Sequence, residues 1–364
     1  MPRKYGEIDL RSDTVTRPTS GMREATPRRR SAMIWNAEDP TVNRLEDRMA
    51  ELLGMEAAVF ACSGTQSNQM GVRAHCIPGD ELLIDETGHI GIYEGGAPAR
   101  RRHGAAFAGK TGPPDVPPIW KAMSAPDNQH FCVTRLVCVE NTTNRGGFAW
   151  PIEQMARVSS GARGQGLKVH LDGPGCSTPP RRRDIPSSNA EHVDSVSICF
   201  SKGLGCPMGS VLVGDQTTIT KARRIRKLFG GAMRQSGMMA AAAIYARASC
   251  RAARGRSRTR PGFCRSDCRD SRHVIDPQDV GTNLVFFDVE EQRGPAAELD
   301  HPVAGTPGQN AAGSVRSESA PARISMSIVK TSSKAKAIRT VMGELTGKPK
   351  TQKTPAAAGS YGGR

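Results

Sequence analysis

Short apolar runs recur along the chain, each bounded by polar or glycine-rich turns. They are AAVFA (57–61), ELLIDE (81–86), RLVCVE (135–140), LKVHLD (167–172), VDSVSICF (193–200), GSVLVG (209–214) and NLVFFDV (283–289). Their length and their turn-rich flanks predict strands rather than helices. Because the runs are continuous rather than alternating, both faces are expected to be covered, as in a parallel sheet. Helical patterns lie between them. Asp39-Pro40 suits an N-cap followed by the first helical residue. Val42, Leu45, Met49, Leu52 and Leu53 then keep helical spacing, and Gly54 supplies a stop. A polar turn, CSGTQSNQ (62–69), leads into a second helix through Met70 and His75. The alternation predicts an α/β class, a doubly wound sheet with its site at the carboxyl ends of the strands.

At 364 residues the chain is long enough for two domains. Residues 1–245 read as a large domain and 246–345 as a smaller C-terminal one. The low-complexity stretch TGKPKTQKTPAAAGSYGGR (346–364) reads as a disordered tail. There is no internal repeat. No apolar run approaches the ~18 residues of a membrane span, and MPRKYGEIDL lacks the apolar centre of a signal peptide. The expectation is a cytoplasmic protein without a membrane partner.

The formal net charge is +16, with 51 Lys+Arg against 35 Asp+Glu. This would suggest nucleic acid if the charge were ordered. It is not. The whole excess lies in four windows, 23–30, 100–125, 174–190 and 247–272, which are rich in Arg, Pro, Ser and Gly. They hold almost no lysine, few aromatics for base stacking and no apolar period, so a nucleic-acid partner is not expected. Three readings stand: solvated disordered loops, stretches translated in a shifted reading frame, or functional basic patches. GC-rich DNA read out of frame yields this composition. Cys62, Cys76, Cys132, Cys138, Cys199 and Cys206 lie in apolar or turn contexts and read as thiols of a reducing compartment. Cys264, Cys268 and His273 form an incomplete zinc set, so no metal is expected.

Four motifs carry chemistry. In SKGLGCPMGS (201–210), Lys202 follows an apolar strand among small residues. Such a lysine can form a Schiff base with pyridoxal phosphate (PLP) when its pKa is lowered. In VHLDGP (169–174), Asp172 ends a strand, where a carboxylate can hold a protonated pyridine nitrogen. In CSGTQSNQ, Ser63, Gly64 and Thr65 sit where a strand turns into a helix and could cradle a phosphate. In DETGHIGIYEGG (85–96), His89 could stack on a ring or move protons. Taken singly, each has a plain structural explanation: an exposed Lys-Gly turn, an Asp-Gly turn, a capped helix start and a structural histidine.

Taken together, their order is that of PLP enzymes of the aspartate-aminotransferase fold type. The segments IDLRSDTVTRPTSGM (8–22), EDPTVNRLEDRMAELLGMEAAVFACSGTQSNQ (38–69), DELLIDETGHIGIYEGG (80–96), VCVENTTNRGG (137–147), VHLDG (169–173), HVDSVSICFSKGLGCPMGSVLVG (192–214) and RKLFGGAMRQSG (226–237) resemble the threonine aldolases of the low-specificity L- and L-allo-threonine type. The resemblance implies fold type I of the PLP enzymes, with a mostly parallel sheet between helices and a smaller C-terminal α+β domain. It implies retro-aldol cleavage of L-threonine or L-allo-threonine to glycine and acetaldehyde. It makes Lys202 the PLP-anchoring lysine, Asp172 the partner of the pyridine nitrogen, and Gly64 and Thr65 phosphate ligands. His89 would stack over the ring near the substrate hydroxyl, and Arg234 would lie near the cofactor across a subunit interface. Ser12 and Arg323 would bind the substrate carboxylate. A dimer or tetramer is implied.

The departures from the family pattern fall largely in the odd windows. The family reads H-L-D-G-A-R after the Asp172 strand, its arginine binding the substrate carboxylate. Here Pro174 and Gly175 follow Gly173. The loop before EDPT reads RRRSAMIWNA (28–37) in place of a V-G-D-D-V-Y-G-like stretch. Thr143 stands where the family has histidine after ENT, and RISMS replaces R-x-V-T-H. Kept spacing with foreign composition suits compensated frameshifts. The remaining alternatives are another PLP lyase of this fold, β-eliminating in type, and an impaired aldolase homologue that keeps the fold.

Overall fold

The computed structural model describes residue 14 and residues 16–26, 33–34, 37–96, 101–104, 123–125, 127–144, 149–173, 190–254, 284–289 and 322–327. Its helices are α1 (Ser20–Ala25), α2 (Pro40–Leu53), α3 (Gly64–His75), α4 (His89–Ile92), α5 (Ile152–Gly164), α6 (Gln216–Leu228) and α7 (Gly237–Arg254). Its strands are β1 (Ala57–Ala61), β2 (Glu81–Asp85), β3 (Arg101–Gly104), β4 (Thr134–Glu140), β5 (Lys168–Gly173), β6 (Ser195–Cys199), β7 (Ser210–Gly214), β8 (Leu284–Val289) and β9 (Ala322–Ser327). Each predicted strand is present within a residue or two of its expected bounds.

Seven strands form one sheet in the order β1-β7-β6-β5-β4-β2-β3. From β3 to β6 all neighbours are parallel, while β7 runs antiparallel to both β6 and β1. The apolar pattern of GSVLVG could not reveal this reversal, but the connection explains it. Only residues 200–209 join β6 to β7, too few for the crossover that a parallel pair needs. Those same residues carry Lys202.

The sheet is covered on both faces, which accounts for its continuous apolar runs. Ala58 and Phe60 of β1, Val137 and Val139 of β4, and Val169 and Leu171 of β5 join a core with Leu45, Met49, Met155 and Ala243. The alternate residues Val59 and Ala61 pack with Met70, Leu212, Ile219 and Ala222 on the other face. Leu136 and Cys138 pack there with Val72, Leu82, Ile84 and Ile90.

Local chemistry sets the helix ends. Asp39 Oδ1 accepts hydrogen bonds from the amides of Thr41 and Val42, with Pro40 in the first turn. Gly54 ends α2 at φ 66°, a left-handed conformation in which glycine has no Cβ to clash. The edge strand β1 would leave backbone groups unpaired, and side chains meet that need. Glu46 accepts from the Phe60 amide at 2.7 Å, Arg226 donates to the Phe60 carbonyl at 2.9 Å, and Arg223 donates to the Ala58 carbonyl at 2.9 Å. Arg223 and Arg226 both pair with Glu46.

Three of the arginine-rich windows contain regular structure at one end, the first because α1 runs to Ala25. Arg101–Gly104 pairs with β2 as an edge strand, and α7 continues to Arg254. The helix therefore passes through residue 246, the expected start of the smaller domain. In that region β8 and β9 form an antiparallel pair. The expected tail, 346–364, lies outside the described residues, as do 174–189 and 255–283. Among the described residues, no helix is long and apolar enough to cross a membrane.

Candidate active site

Gly64, Thr65, His89, Asp172 and Lys202 lie at the carboxyl ends of β1, β2, β5 and β6, with Glu140 at the end of β4. Ser63 follows β1 and caps α3, its side chain accepting from the Gln66 amide. Gly64 and Thr65 form the first turn of that helix, at its positive dipole end. His89 opens α4 after β2. Glu140 and Asp172 end neighbouring parallel strands in register with each other. Lys202 lies in the short β6–β7 connection, where its carbonyl accepts from the Thr16 hydroxyl at 2.7 Å and from the Gly205 amide at 2.9 Å. Gly205 has φ 74°, so the turn around the lysine uses glycine's conformational freedom.

Charged groups meet here with little water. Asp172 is 8% exposed, and the polar atoms of His89, Glu94 and Asp172 all lie within 4.8 Å of one another. His89 Nδ1 is 3.1 Å from Glu94 Oε1, and its ring lies 5.6 Å from the tilted ring of Tyr93. Burial works against the His89 imidazolium, but the Glu94 bond and the Asp172 charge outweigh it and raise the pKa. Burial pushes the Asp172 carboxyl up, and Lys202 and His89 only partly counter it. Burial and the Asp172 charge also raise Glu140, to about 8, against the pull of His89 and two amide donors. Those donors are the backbone N–H groups of His89 at 3.3 Å and Asn144 at 2.7 Å.

Lys202, Asp172 and His89 thus share one electrostatic neighbourhood, with the α3 N-terminus beside the same strand ends. Arg234 is exposed in the segment between α6 and α7, and its carbonyl accepts from the Ile34 amide. Arg323 lies in β9 opposite Asp288 of β8, and its side chain is outside the described residues. Ser12 is also outside them, as are Pro174 and Gly175.

Five further polar residues belong to the site's framework: Asn68, Gln69, Glu94, Glu140 and His170. Asn68 and Gln69 lie on the buried side of α3 and both donate to Glu94. The detectable signal was the pair of amides at positions where a helix facing the sheet should be apolar. Glu94 and His170 stood inside the chemical motifs, but only the fold shows what they touch. A separate cavity of about 570 Å³, lined by Asn43, Glu46, Asp47, Glu51, Glu56 and Arg223 among others, contains none of the candidate residues.

Comparison with known proteins identifies the family and the fold. The family model described as Beta-eliminating lyase matches residues 9–292. The chain is 36% identical to low-specificity L-threonine aldolase 1 of Arabidopsis thaliana over 307 residues, 78% of this chain and 82% of the relative. It is 37% identical to the low specificity L-threonine aldolase of Escherichia coli K12 over 307 residues, 79% of this chain and 86% of the relative. The solved threonine aldolase of Leishmania major has the same fold at a TM-score of 0.70 and 18% identity, covering 92% of this chain and 98% of that one. A Thermus thermophilus aspartate aminotransferase shares it at a TM-score of 0.64 and 16% identity, covering 94% of each chain. The fold is therefore type I of the PLP enzymes.

Proposed function

The chain belongs to the beta-eliminating lyase family, among its low-specificity threonine aldolases, and from that premise we propose that it is a PLP-dependent aldehyde-lyase. Its reaction is cleavage of L-threonine or L-allo-threonine to glycine and acetaldehyde. The observation that carries this reading is the meeting of Lys202, Asp172 and His89 at the sheet's carboxyl edge, each within electrostatic reach of the others.

These residues fit PLP by their chemistry. Asp172 is a buried carboxylate whose pKa stays raised despite Lys202 and His89. A pyridinium N–H is a cationic donor suited to it. Lys202 supplies the amine that anchors the aldehyde. The first turn of α3, with Gly64 and Thr65, offers backbone N–H groups to the phosphate. Bound there, PLP would supply an electron sink for cleavage of the substrate Cα–Cβ bond. Asp172 would hold the pyridine nitrogen in its protonated form, which would favour electron withdrawal. His89 Nε2 takes the β-hydroxyl proton, directly or through a water that it positions. Ser12 and Arg323 would bind the substrate carboxylate, and Arg234 would serve the cofactor of a second copy.

A homo-oligomer, dimer or tetramer, suits the exposed Leu228, Phe229, Met233 and Met238 around the α6–α7 connection. Free thiols at the six described cysteines suit the cytoplasm. A β-eliminating reaction is the second reading, favoured by the description of the matched family model.

Incubation of the PLP-loaded protein with each threonine diastereomer tests the proposal. Equimolar glycine and acetaldehyde are expected. Release of 2-oxobutyrate and ammonia would transfer the assignment to β-elimination. PLP binding without any turnover would favour an impaired homologue, consistent with Gly175 at the arginine position.

A further inference from the structure

Behind His89 a line of buried polar groups runs through α3 and β5 toward the far side of the sheet. Glu94 lies at its inner end, with its side chain fully buried. Oε1 receives Asn68 Nδ2 at 2.7 Å and faces His89 Nδ1 at 3.1 Å, and Oε2 receives Gln69 Nε2. Asn68 also hydrogen-bonds Asp172. Its remaining contact is Oδ1, 3.3 Å from His170 Nε2. His170 Nδ1 lies 2.8 Å from Ser195 Oγ, which lies 2.9 Å from His75 Nε2.

Donor and acceptor counting gives this line one direction. Asn68 faces two carboxylates, so its two N–H bonds point at Glu94 and Asp172 and its oxygen must accept. His170 therefore carries its proton on Nε2. The ring is fully buried and burial lowers its pKa to about 3, so it is neutral. At the other end, both Glu94 oxygens already accept from amide N–H groups, Oε1 from Asn68 and Oε2 from Gln69. The nitrogen of His89 that faces it, Nδ1, must carry a proton.

We propose that Glu94 and Asn68 are positioning residues that hold neutral His89 in its Nδ1–H tautomer, so that Nε2 is the ring nitrogen left to take a proton. Asn68 does this while bonded to Asp172, which ties the histidine and the carboxylate to one amide. The tautomer follows from the geometry alone. Its catalytic consequence rests on the aldolase reading.

The groups facing His89 are Glu94 after α4, Asp172 of β5, Glu140 of β4, Lys202 of the β6–β7 connection and the Tyr93 ring. Of these, Glu94 touches the ring nitrogen itself, its Oε1 lying 3.1 Å from Nδ1. Changing it should therefore move the histidine's titration most.

The test is ¹⁵N NMR on histidine-labelled protein, first without cofactor and then PLP-loaded, for the wild type, Glu94→Gln and Glu94→Asp. In the wild type, His89 should titrate above an ordinary histidine and show Nδ1–H when neutral. Glu94→Gln should lower that pKa by about one unit, the order at which loss of an adjacent opposite charge acts. Glu94→Asp should retain most of it. In the loaded enzyme the acid limb of kcat/KM should shift with the NMR pKa. A wild-type Nε2–H tautomer would overturn the proposal without any variant. So would an unmoved His89 pKa and pH profile in a folded Glu94→Gln protein. If threonine is not cleaved but the tautomer and its Glu94 dependence are found, the aldolase reading fails and the positioning inference stands.

Discussion

His170 packs so closely on Gly71 that a Cβ added there would lie 2.6 Å from the ring's Cε1. Gly71 is in the interior of α3, where alanine would ordinarily favour the helix by about 1 kcal/mol. Overpacking a core contact costs about 1–3 kcal/mol, and here the displaced ring would also lose its Asn68 bond. The clash should win. Gly71→Ala is expected to lower stability by roughly 1–2 kcal/mol on that balance, measured by urea unfolding. A variant as stable as the wild type would show that His170 can move freely.

Lys202→Ala should abolish the visible absorbance of lysine-bound PLP while leaving the far-UV circular dichroism spectrum unchanged. Lys202 sits in a turn whose backbone bonds, from Thr16 and Gly205, do not involve its side chain. Retained absorbance on PLP addition would remove Lys202 from its anchoring role.

His89→Asn should lower kcat by on the order of 10²–10⁴, the range for loss of a positioned acid–base group. PLP affinity should fall far less, because the phosphate turn and Asp172 remain. Steady-state kinetics and a PLP titration separate the two. Equal losses in both would make His89 a cofactor ligand rather than a proton carrier.

Stability should depend on pH through groups of opposite sign. Burial lowers His170 from 6.5 to about 3 and His75 from 6.5 to about 4. The unfolded chain therefore binds protons below 6.5 that the folded chain refuses. Their contribution is present above pH 6.5 and lost as pH falls toward those values. Glu140 is raised from 4.5 to about 8, so its contribution is present at low pH and lost as pH rises through that window. Where the windows overlap, the two histidines oppose Glu140, and Asp172, also raised by burial, acts on the side of Glu140. Each uncompensated proton is worth about 1.4 kcal/mol per pH unit. The melting temperature of the cofactor-free protein should peak near pH 6.5, and Glu140→Gln should flatten the decline above it. A maximum below pH 4.5 would contradict this balance.

Gly175→Arg, with Pro174→Ala to match the family pattern, should lower KM for threonine with little change in kcat. A restored guanidinium would give the substrate carboxylate a bidentate, charge-assisted partner. An unchanged KM would assign carboxylate binding elsewhere, with Arg323 and Ser12 the remaining candidates.

Much of the fold could be read from local pattern. The runs AAVFA, ELLIDE and SVSIC are strands because their residues favour extended backbone and both faces are covered. Asp39 and Gly54 bound α2 because capping is chemistry between near neighbours. Lys202, Asp172, His89 and Gly64 stand out as candidates because small residues and strand ends mark where a chain approaches a ligand. What the sequence could not decide depended on distant partners. GSVLVG has the same apolar pattern whether parallel or antiparallel, and only the ten-residue connection from β6 settles it. Asn68, Glu94 and His170 are separated by 26 and 76 positions along the chain. Nothing local required them to meet. Packing α3 against β5, with Gly71 leaving room for a ring, brings them into hydrogen-bond reach. The amino-acid sequence by itself determined the strands, the helix caps and the candidate side chains. The tertiary structure alone decided their burial, their charges and the direction of the polar line behind His89, because desolvation and hydrogen-bond pairing exist only once the elements have packed.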